Sequence, residues 1–361
     1  MVVAGLTGTS LIASRVSSIH HPSPMMTITT HNVSAYLHKR GILSEDANAV
    51  SRPLAGGVSN RVIQVETDSE CYVLKQPLEN LAVEDDWPAD VARVHNEAAA
   101  TRAYRRFCTA LPHTHTPQVL DESFDDHAVV FSCVSSAEMW KRDLLDGAVD
   151  TRVSRACGEV LGTVHAAAPQ ARGVREAFDD NTPFIQLRVD PYHRTTARRH
   201  PDIADTIHDE IERLVRTERT LVHGDYSPKN VLLTRTDPPE IWILDFEVAH
   251  WGDPAFDTAF MLNHLFIKSV YNSDQQRTYF DAVDSFWTAY CEAVPWDIER
   301  ETVRELAILM LARVDGKSPV EYIDSKATAE TLRSVAKHAL RSKISSIAEF
   351  RTMVENETDT L

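Results

Sequence analysis

The stretch LVHGDYSPKNVLLTRTDPPEIWILDFE at positions 221–247 decides the fold. It holds two short polar clusters between apolar runs. The first is H-G-D at 223–225, followed five positions after its aspartate by Asn230. The second is D-F-E at 245–247, whose aspartate stands twenty positions after the first. Carboxylates inside apolar sequence indicate a site, because they are costly to bury unless a cation lies among them.

The apolar residues between the clusters predict a pair of short strands. V-L-L at 231–233 and I-W-I-L at 241–244 have the length of buried strands, and D-P-P at 237–239 supplies a turn between them. We therefore expect acidic groups at the ends of a tight strand pair.

The whole chain has the composition of a globular protein with an acidic surface. Its 361 residues are 43% apolar and 25% charged, which is enough for a large core in two domains or lobes. The net charge of −16 and the isoelectric point near 5.4 argue against a nucleic-acid partner. Because no apolar run approaches the roughly 20 residues that span a bilayer, we expect a cytoplasmic protein without a membrane segment.

The cysteines show no paired spacing. Cys71, Cys108, Cys133, Cys157 and Cys291 are scattered, and no C-x-x-C motif occurs. An odd, unpatterned set is typical of a reducing compartment and of packing roles. We therefore predict neither a disulfide nor a structural zinc site.

The composition also suggests where the domains begin. Residues 1–26 are rich in Ser, Thr, Gly and His and lack the pattern of a secretory signal, so we expect a disordered extension and consider Met25-Met26 as an alternative start. The remaining expected domains are an N-terminal one at 27–134, for which the residues below suggest nucleotide binding, and a helical C-terminal one at 135–361.

A glycine-rich turn precedes a predicted hairpin. Gly57, Ser59 and Asn60 stand directly before a strand pattern at 61–66, and a second strand pattern follows at 71–75. Such a turn can lie over phosphates with its backbone N–H groups facing them. Most Gly-Gly turns are only turns, so this feature alone is weak support for a nucleotide site.

Lys75 strengthens that interpretation. It ends the second strand, where a lysine is costly unless it is paired. Glu97 follows in a segment of strong helix formers, RVHNEAAATRAYRRF at 93–107. A strand lysine paired with a helix glutamate is how protein-kinase-like folds hold nucleotide phosphates. The alternative is two unrelated surface charges.

The pattern of elements changes after residue 134. Before it, strands expected at 117–120 and 128–134 join the hairpin in a small, mostly antiparallel sheet with a helix. After it, apolar residues recur at helical spacing in several segments: 156–165, 202–217, 255–268, 275–292, 299–313 and 327–351. The predicted fold class is α+β, with a small antiparallel sheet followed by a larger, mainly helical part.

These residues and their order resemble the aminoglycoside phosphotransferase and choline kinase group, the small-molecule relatives of protein kinases. The resemblance spans residues 54–313, and the spacing from Asp225 to Asn230 equals that of the kinase loop H-R-D-x-x-x-x-N. It implies a protein-kinase-like two-lobed fold that uses ATP and Mg²⁺ to phosphorylate a hydroxyl of a small substrate. A homodimer is compatible with the sequence.

Some stretches are similar to methylthioribose kinase and related sugar kinases. They are VLKQPLENLAVEDDWP at 73–88, D-x-E at 245–247 and LARVDGK at 311–317. Asn230 stands where that family often has Ser, and Phe246 where it has Pro. A sugar or sugar-like acceptor is therefore implied, and its identity stays open.

The resemblance assigns roles to the two polar clusters. Asp225 would orient the acceptor hydroxyl and accept its proton, with Asn230 and Lys229 as further catalytic residues. Asn230 and Asp245 would hold Mg²⁺, which prefers oxygen ligands. Glu247 is either a further metal ligand or a hydrogen-bond acceptor for the nearby loop. Lys229 either reaches the transferred phosphate or is solvated.

The resemblance also places the nucleotide. Lys75 would contact its phosphates, with Glu97 holding the lysine in place. The adenine would bind backbone groups near Ser132 and Val134. His223 is expected to brace the catalytic loop through the backbone rather than to do chemistry.

The acceptor site is the least defined part of the prediction. Arg188, Arg194 and Arg313 are candidate substrate residues, but a solvated helix end is the slightly favoured explanation for the first two. Alternative functions are an aminoglycoside or amino-alcohol phosphotransferase, which would need an acidic acceptor pocket, and a nucleotide-binding pseudokinase. A metal-dependent hydrolase using His223 and Asp225 leaves the lysine–glutamate pair unexplained.

Overall fold

The computed structural model describes residues 25–54, 58–82, 87–134 and 136–358. Gly57 and most of the expected N-terminal extension lie outside these ranges. The strands are β1 Val50–Pro53, β2 Asn60–Glu66, β3 Cys71–Pro77, β4 Thr114–His115, β5 Val119–Ser123, β6 Ala128–Ser132, β7 Ala137–Met139, β8 Thr220–Val222, β9 Val231–Thr234, β10 Ile241–Ile243 and β11 His250–Gly252. The α-helices are α1 Val33–Lys39, α2 Arg93–Phe107, α3 Trp140–Leu145, α4 Thr151–Ala167, α5 Val174–Ala177, α6 Thr182–Phe184, α7 Thr195–Arg199, α8 Ala204–Arg216, α9 Pro254–Tyr271, α10 Gln276–Ala293, α11 Glu299–Asp315, α12 Lys326–Ser342 and α13 Ile347–Thr358.

The first part of the chain is a five-stranded antiparallel sheet in the order β1-β2-β3-β6-β5. Because side chains alternate between the two faces of a strand, each face buries its own apolar set. On one face, Ile63 and Leu74 pack with Leu37 of α1. On the other, Val129 of β6 packs with Val94 of α2. The sheet is therefore covered by a helix on each face.

The rest of the chain is mainly helical, which confirms the predicted α+β class. Its core is the buried helix α9, which packs against α10 and α11. Helix α4 lies close to α10 because Gly158 and Gly162 face it: a Cβ at Gly158 would lie 2.2 Å from the carbonyl oxygen of Phe286. The boundary expected between residues 134 and 135 stays a prediction.

The predicted strand pair is present as the hairpin β9–β10. Val231 pairs with Ile243 and Leu233 with Ile241, in antiparallel register, and all four side chains are buried. Strands β4 and β7 extend this hairpin to a four-stranded sheet. The hairpin separates the two polar clusters along the chain and holds their ends near each other.

The prediction of no disulfide is wrong, because Cys71 and Cys133 are bonded to each other. They stand 62 positions apart in the sequence, so their spacing does not suggest a pair. The register of β3 with β6 places Tyr72 opposite Ser132, which brings the two cysteines side by side with Cα atoms 5.3 Å apart.

The single helix expected at 327–351 is instead two helices, α12 and α13. Lys343 ends α12 with a positive φ of 52°. Helix α13 then begins with a capping box in which Glu349 N–H donates to Ser346 Oγ, at 3.2 Å, and Ser346 N–H donates to the Glu349 carboxylate, at 3.1 Å. The S-x-x-E spacing was the sequence signal for this break.

No helix within the described ranges has both the length and the apolar character that crossing a bilayer requires.

Candidate active site

The loop that follows β8 carries the first polar cluster in a fixed conformation. Gly224 has a φ of +77°, and a Cβ there would lie 2.7 Å from the carbonyl oxygen of Val248, so only glycine fits. The carboxylate of Asp257, in the first turn of α9, accepts the backbone N–H groups of His223 at 2.6 Å and Gly224 at 2.8 Å. This buried carboxylate therefore anchors the loop.

His223 braces the same loop, as the sequence predicts. Its Nε2–H donates to the carbonyl oxygen of Leu244, 3.1 Å away, and its Nδ1 accepts the backbone N–H of Asp225, at 3.2 Å. Burial lowers the pKa of His223, so the ring stays neutral. Both ring nitrogens are used for structure, which leaves none for proton transfer.

Asp225 is 2% exposed and lies among cations. Its Oδ2 accepts the Asn230 amide at 2.8 Å and lies 2.9 Å from Lys229 Nζ and 3.2 Å from Arg188 Nη2. Burial by itself raises the pKa of Asp225, but the charges of Arg188 and Lys229 outweigh it, and the pKa lies below its ordinary value. The Oδ1 atom is buried without a partner in the described structure, so it is available to a hydroxyl group.

Arg188 reaches Asp225 from a π-helix, Ile185–Arg194. Only 7% of Arg188 is exposed, and its Nε donates to the carbonyl oxygen of Gly224 at 2.6 Å. The expectation of a solvated helix end is therefore wrong for this residue. The sequence of this segment does not show the apolar spacing of an α-helix, because a π-helix holds more residues per turn. π-Helices are also rare.

The predicted ion pair between strand and helix is present. Lys75 Nζ lies 2.5 Å from the Glu97 carboxylate and 3.0 Å from Oδ1 of Asp245. Burial lowers the pKa of Lys75, but the charges of Asp245 and Glu97 outweigh it and raise the pKa, so the lysine stays charged. Asp245 has a φ of +68°, which is rare for a residue with a side chain.

The three candidate metal ligands line one cavity. Asn230 Oδ1, Asp245 Oδ2 and Glu247 Oε1 make no hydrogen bond to the described residues, which leaves three hard oxygen donors for Mg²⁺. Among the described residues, no group of three or more His, Cys, Asp or Glu side chains could hold a metal ion by itself. The donor set fits a Mg²⁺ ion that takes its other ligands from phosphates and water.

Glu247 is also part of a buried link that the sequence analysis missed. Its Oε2 accepts Arg93 Nε at 3.1 Å and Asn60 Nδ2 at 2.9 Å. Arg93 is 1% exposed and also donates to the carbonyl oxygens of Ser59, at 2.6 Å, and Leu78, at 2.9 Å. Arg93 therefore ties the turn before β2 to the second polar cluster. In the sequence, Arg93 looks like an ordinary exposed charge, because it stands at the start of helix α2 among other polar residues.

A cavity of about 320 Å³ lies between the antiparallel sheet and the β9–β10 hairpin. Its walls are largely apolar, as a site for a planar base would be, with Val62, Val73, Phe131 and Leu232 among the lining residues. Ser132 and Val134, expected near the adenine, line it as well, and Lys75 and Asp245 line one end.

A second cavity of about 350 Å³ shares Lys75 and Asp245 with the first, so the two adjoin at these residues. It holds Asp225 and the two predicted turn residues Ser59 and Asn60. The combined space therefore runs from an apolar slot, past the lysine and the metal donors, to the partly free carboxylate.

The other two predicted substrate arginines lie apart from Asp225. Arg194 is exposed, pairs with Asp190, and lines a different cavity. Arg313 is half-buried behind the second cavity, where Nη1 donates to Tyr192 Oη at 3.2 Å and to Ser318.

The comparisons with known proteins agree with this geometry. The phosphotransferase enzyme family matches residues 50–292, more than half of the chain. The methylthioribose kinase of Bacillus cereus (strain 03BB102) is 21% identical over 379 aligned residues, which cover 89% of this chain and 94% of that protein.

Two solved structures are similar at the level of the fold. The microcompartment-associated aminopropanol kinase has a TM-score of 0.55 and 14% identity, and the match covers 87% of this chain and 98% of that chain. The Plasmodium vivax ethanolamine kinase has a TM-score of 0.54 and 13% identity, with 90% and 94% covered.

Proposed function

The chain belongs to the phosphotransferase enzyme family, and we propose that it uses ATP and Mg²⁺ to phosphorylate a hydroxyl group of a small metabolite, a sugar or sugar-like compound. One observation carries this proposal. In two adjoining cavities, an apolar slot, Lys75, the proposed metal donors and Asp225 follow one another in the order that transfer of the γ-phosphate to a bound acceptor requires.

Asp225 is the residue that faces the acceptor. Its Oδ1 accepts a hydrogen bond from the acceptor hydroxyl and aims the oxygen lone pair at the phosphorus. Because its pKa is low, Asp225 is ionised when the acceptor binds. It takes the hydroxyl proton late, after the new O–P bond has begun to form and the hydroxyl has become more acidic.

Lys75 and the second cluster hold the phosphates. Lys75 stays charged between Glu97 and Asp245 and contacts the α- and β-phosphates. Asn230, Asp245 and Glu247 would hold Mg²⁺, which would neutralise charge on the phosphate oxygens. Lys229, 2.9 Å from Asp225, would contact the transferred group.

The sugar-like acceptor is supported by the similarity to methylthioribose kinase, which covers most of both chains. The pseudokinase alternative is disfavoured, because the lysine, the loop aspartate and the metal donors are all present in one cavity. We also propose that the protein acts in the cytoplasm, where ATP is plentiful. The homodimer stays a prediction.

The experiment is a screen for ATP consumption with Mg²⁺ and a panel of small alcohols, sugars and aminoglycosides that includes methylthioribose. Turnover of a sugar that disappears in Asp225→Asn supports the proposal. A purified protein that binds no nucleotide in the presence of Mg²⁺ contradicts it.

A further inference from the structure

Cations wall the part of the second cavity that lies beyond Asp225. Arg188, Lys229 and Lys317 line it together with Tyr192 and Ser318. This composition is unexpected in a chain with 53 acidic and 37 basic residues. Around Asp225, two cations, Arg188 and Lys229, meet one carboxylate, which leaves positive charge where the acceptor has to bind.

The carboxylates of the same cavity are already neutralised. Asp225 is paired with Arg188 and Lys229, and Asp245 is paired with Lys75. Glu247, the third, is paired with Arg93. A cationic acceptor such as an amino alcohol or an aminoglycoside would therefore have to displace an internal ion pair.

The aromatic rings near the proposed acceptor site already have cation–π contacts with cations of the protein. The guanidinium groups of Arg188 and Arg313 lie 5.7 and 5.6 Å from the ring centre of Tyr192. Lys317 Nζ lies 5.1 Å from the ring centre of Trp87, which lines the same cavity. Aromatic rings that could bind an ammonium group by cation–π contact are thus covered by cations of the protein itself.

Arg313 and Lys268 form a second layer of cations behind this wall, and Glu321 is an acidic group whose charge acts on both. Within the described residues, neither Arg313 nor the fully buried Lys268 has an ion pair. In the described part of the chain, the hydrogen bonds of Lys268 go to the Tyr322 hydroxyl and the carbonyl oxygen of His264. Burial and the charges of Lys141 and Arg313 lower the pKa of Lys268 to about 7. A buried charge without an ion pair is costly, so an anion bound nearby would stabilise this region.

We propose that the acceptor carries an anionic group, a carboxylate or a phosphate, besides the hydroxyl that is phosphorylated, and that this group binds at the wall formed by Arg188, Lys229 and Tyr192, with Arg313 behind Tyr192. The inference rests on the proposed kinase function and deepens it. With Asp225 Oδ1 engaging the hydroxyl, the anion lies on the side of the cavity away from the nucleotide. Arg188 and Lys229 supply N–H donors for it, and Arg313 adds positive charge from behind the wall.

The test measures binding of four matched probes by calorimetry: D-glucuronate, D-glucose 6-phosphate, D-glucose and D-glucosamine. The full chain is used with Mg²⁺ and a non-hydrolysable ATP analogue at constant ionic strength. We expect at least one of the two anions to bind roughly tenfold more tightly than glucose, and glucosamine to bind most weakly. Which anion binds tighter distinguishes a carboxylate from a phosphate.

Variants on helix α11 test whether the positive charge of Arg313 contributes to binding of the anion at the proposed wall. Arg313→Gln is expected to lower the affinity for the anion roughly tenfold and to leave that for glucose unchanged, whereas Arg313→Lys retains most of the preference. Arg300→Gln, an exposed position on the same helix, is the matched control and should change neither. Retained binding of the ATP analogue shows that each variant is folded.

Two results would overturn the inference. One is that glucose or glucosamine binds as tightly as both anions. The absence of binding by all four probes, up to their solubility limits, counts as the same result. The other is an anion preference that survives Arg313→Gln. Neither result touches the proposed kinase function, which depends on the Mg²⁺-dependent binding of the ATP analogue measured in the same samples.

Discussion

The guanidinium of Arg188 lies 3.2 Å from the carboxylate of Asp225 and donates, through Nε, to the carbonyl oxygen of Gly224, the residue before it. A cation from the π-helix thus holds the carboxylate of Asp225, which we propose faces the acceptor, and the carbonyl group of the residue before it. This contact links the chemistry of the loop to the wall of the acceptor site.

We expect Asp225→Asn to remove most of the phosphoryl transfer. An amide cannot accept the acceptor proton, and general-base groups contribute roughly 10²–10⁴-fold to the rate. Binding of ATP should stay nearly unchanged, because Lys75 and Asp245 are untouched. The measurement is kcat with the best acceptor of the screen, together with the nucleotide Kd. Turnover close to that of the unaltered protein would sink the proposed role.

Replacing Arg188 should change the pH dependence of the reaction. The pKa of Asp225 lies below its ordinary value, with Arg188 as the largest lowering influence, so Asp225 stays ionised and active as the pH falls. Arg188→Gln raises that pKa, and the acid limb of kcat moves to higher pH. Arg188→Lys keeps a positive charge and should move the limb less. An unshifted acid limb in Arg188→Gln would contradict the link.

Lys75→Ala should weaken nucleotide use more than acceptor use. The variant removes the cation that contacts the phosphates and leaves Glu97 and Asp245 without their shared partner. We expect the KM for ATP to rise roughly tenfold or more. The control is Lys326→Ala, an exposed position at the start of α12. Equal effects of the two variants would argue against the assignment.

The disulfide between Cys71 and Cys133 should contribute to stability. It closes a loop of 62 residues, and cross-links of this kind typically stabilise a fold by about 2–4 kcal/mol. Urea unfolding with and without reductant measures the contribution, and the double variant Cys71→Ser/Cys133→Ser should match the reduced protein. Cys291→Ser, at an exposed free cysteine, should have no effect. Five titratable thiols in the unreduced, unfolded chain would show that the bond is absent.

Stability should fall with acid because of His250. Burial lowers the pKa of His250 from 6.5 to about 4, so the unfolded chain binds a proton at higher pH than the folded chain does. The free energy of unfolding therefore falls as the pH drops from about 6.5 to about 4. For this group the loss is on the order of 3 kcal/mol.

The matched variants separate this effect from general acid unfolding. His250→Gln should flatten the pH dependence of the unfolding free energy in that window. His208→Gln, at an exposed position of α8, should leave it unchanged. If both variants follow the same curve as the unaltered protein, His250 is not the group responsible.

Local sequence was enough to predict several parts of the site. The H-G-D cluster, Asn230 and the D-F-E cluster stand on either side of a hairpin whose apolar residues and turn are contiguous in the chain. The pair of Lys75 and Glu97 could be predicted because its two elements are close in sequence and each has a clear pattern. Periodicity likewise located α1 and most of the long helices.

Other features were hidden because they depend on contacts between distant residues. Cys71 meets Cys133 only through the register of β3 with β6. Arg93 meets Glu247 across 154 positions, where neither residue stands out by itself. The π-helix has a spacing that fits neither the helical nor the strand template.

The sequence by itself determined the class of fold and the chemistry of transfer, since the loop, the strand lysine and the metal donors are carried by short motifs with fixed spacing. Only the tertiary structure decided the character of the acceptor site. Arg188, Tyr192, Arg313 and Lys268 come from the π-helix, α9 and α11, and their charges add up in one place only after these helices have packed. The electrostatic potential in the cavity is the sum of charges from several elements, so it cannot be inferred from any single segment of the chain.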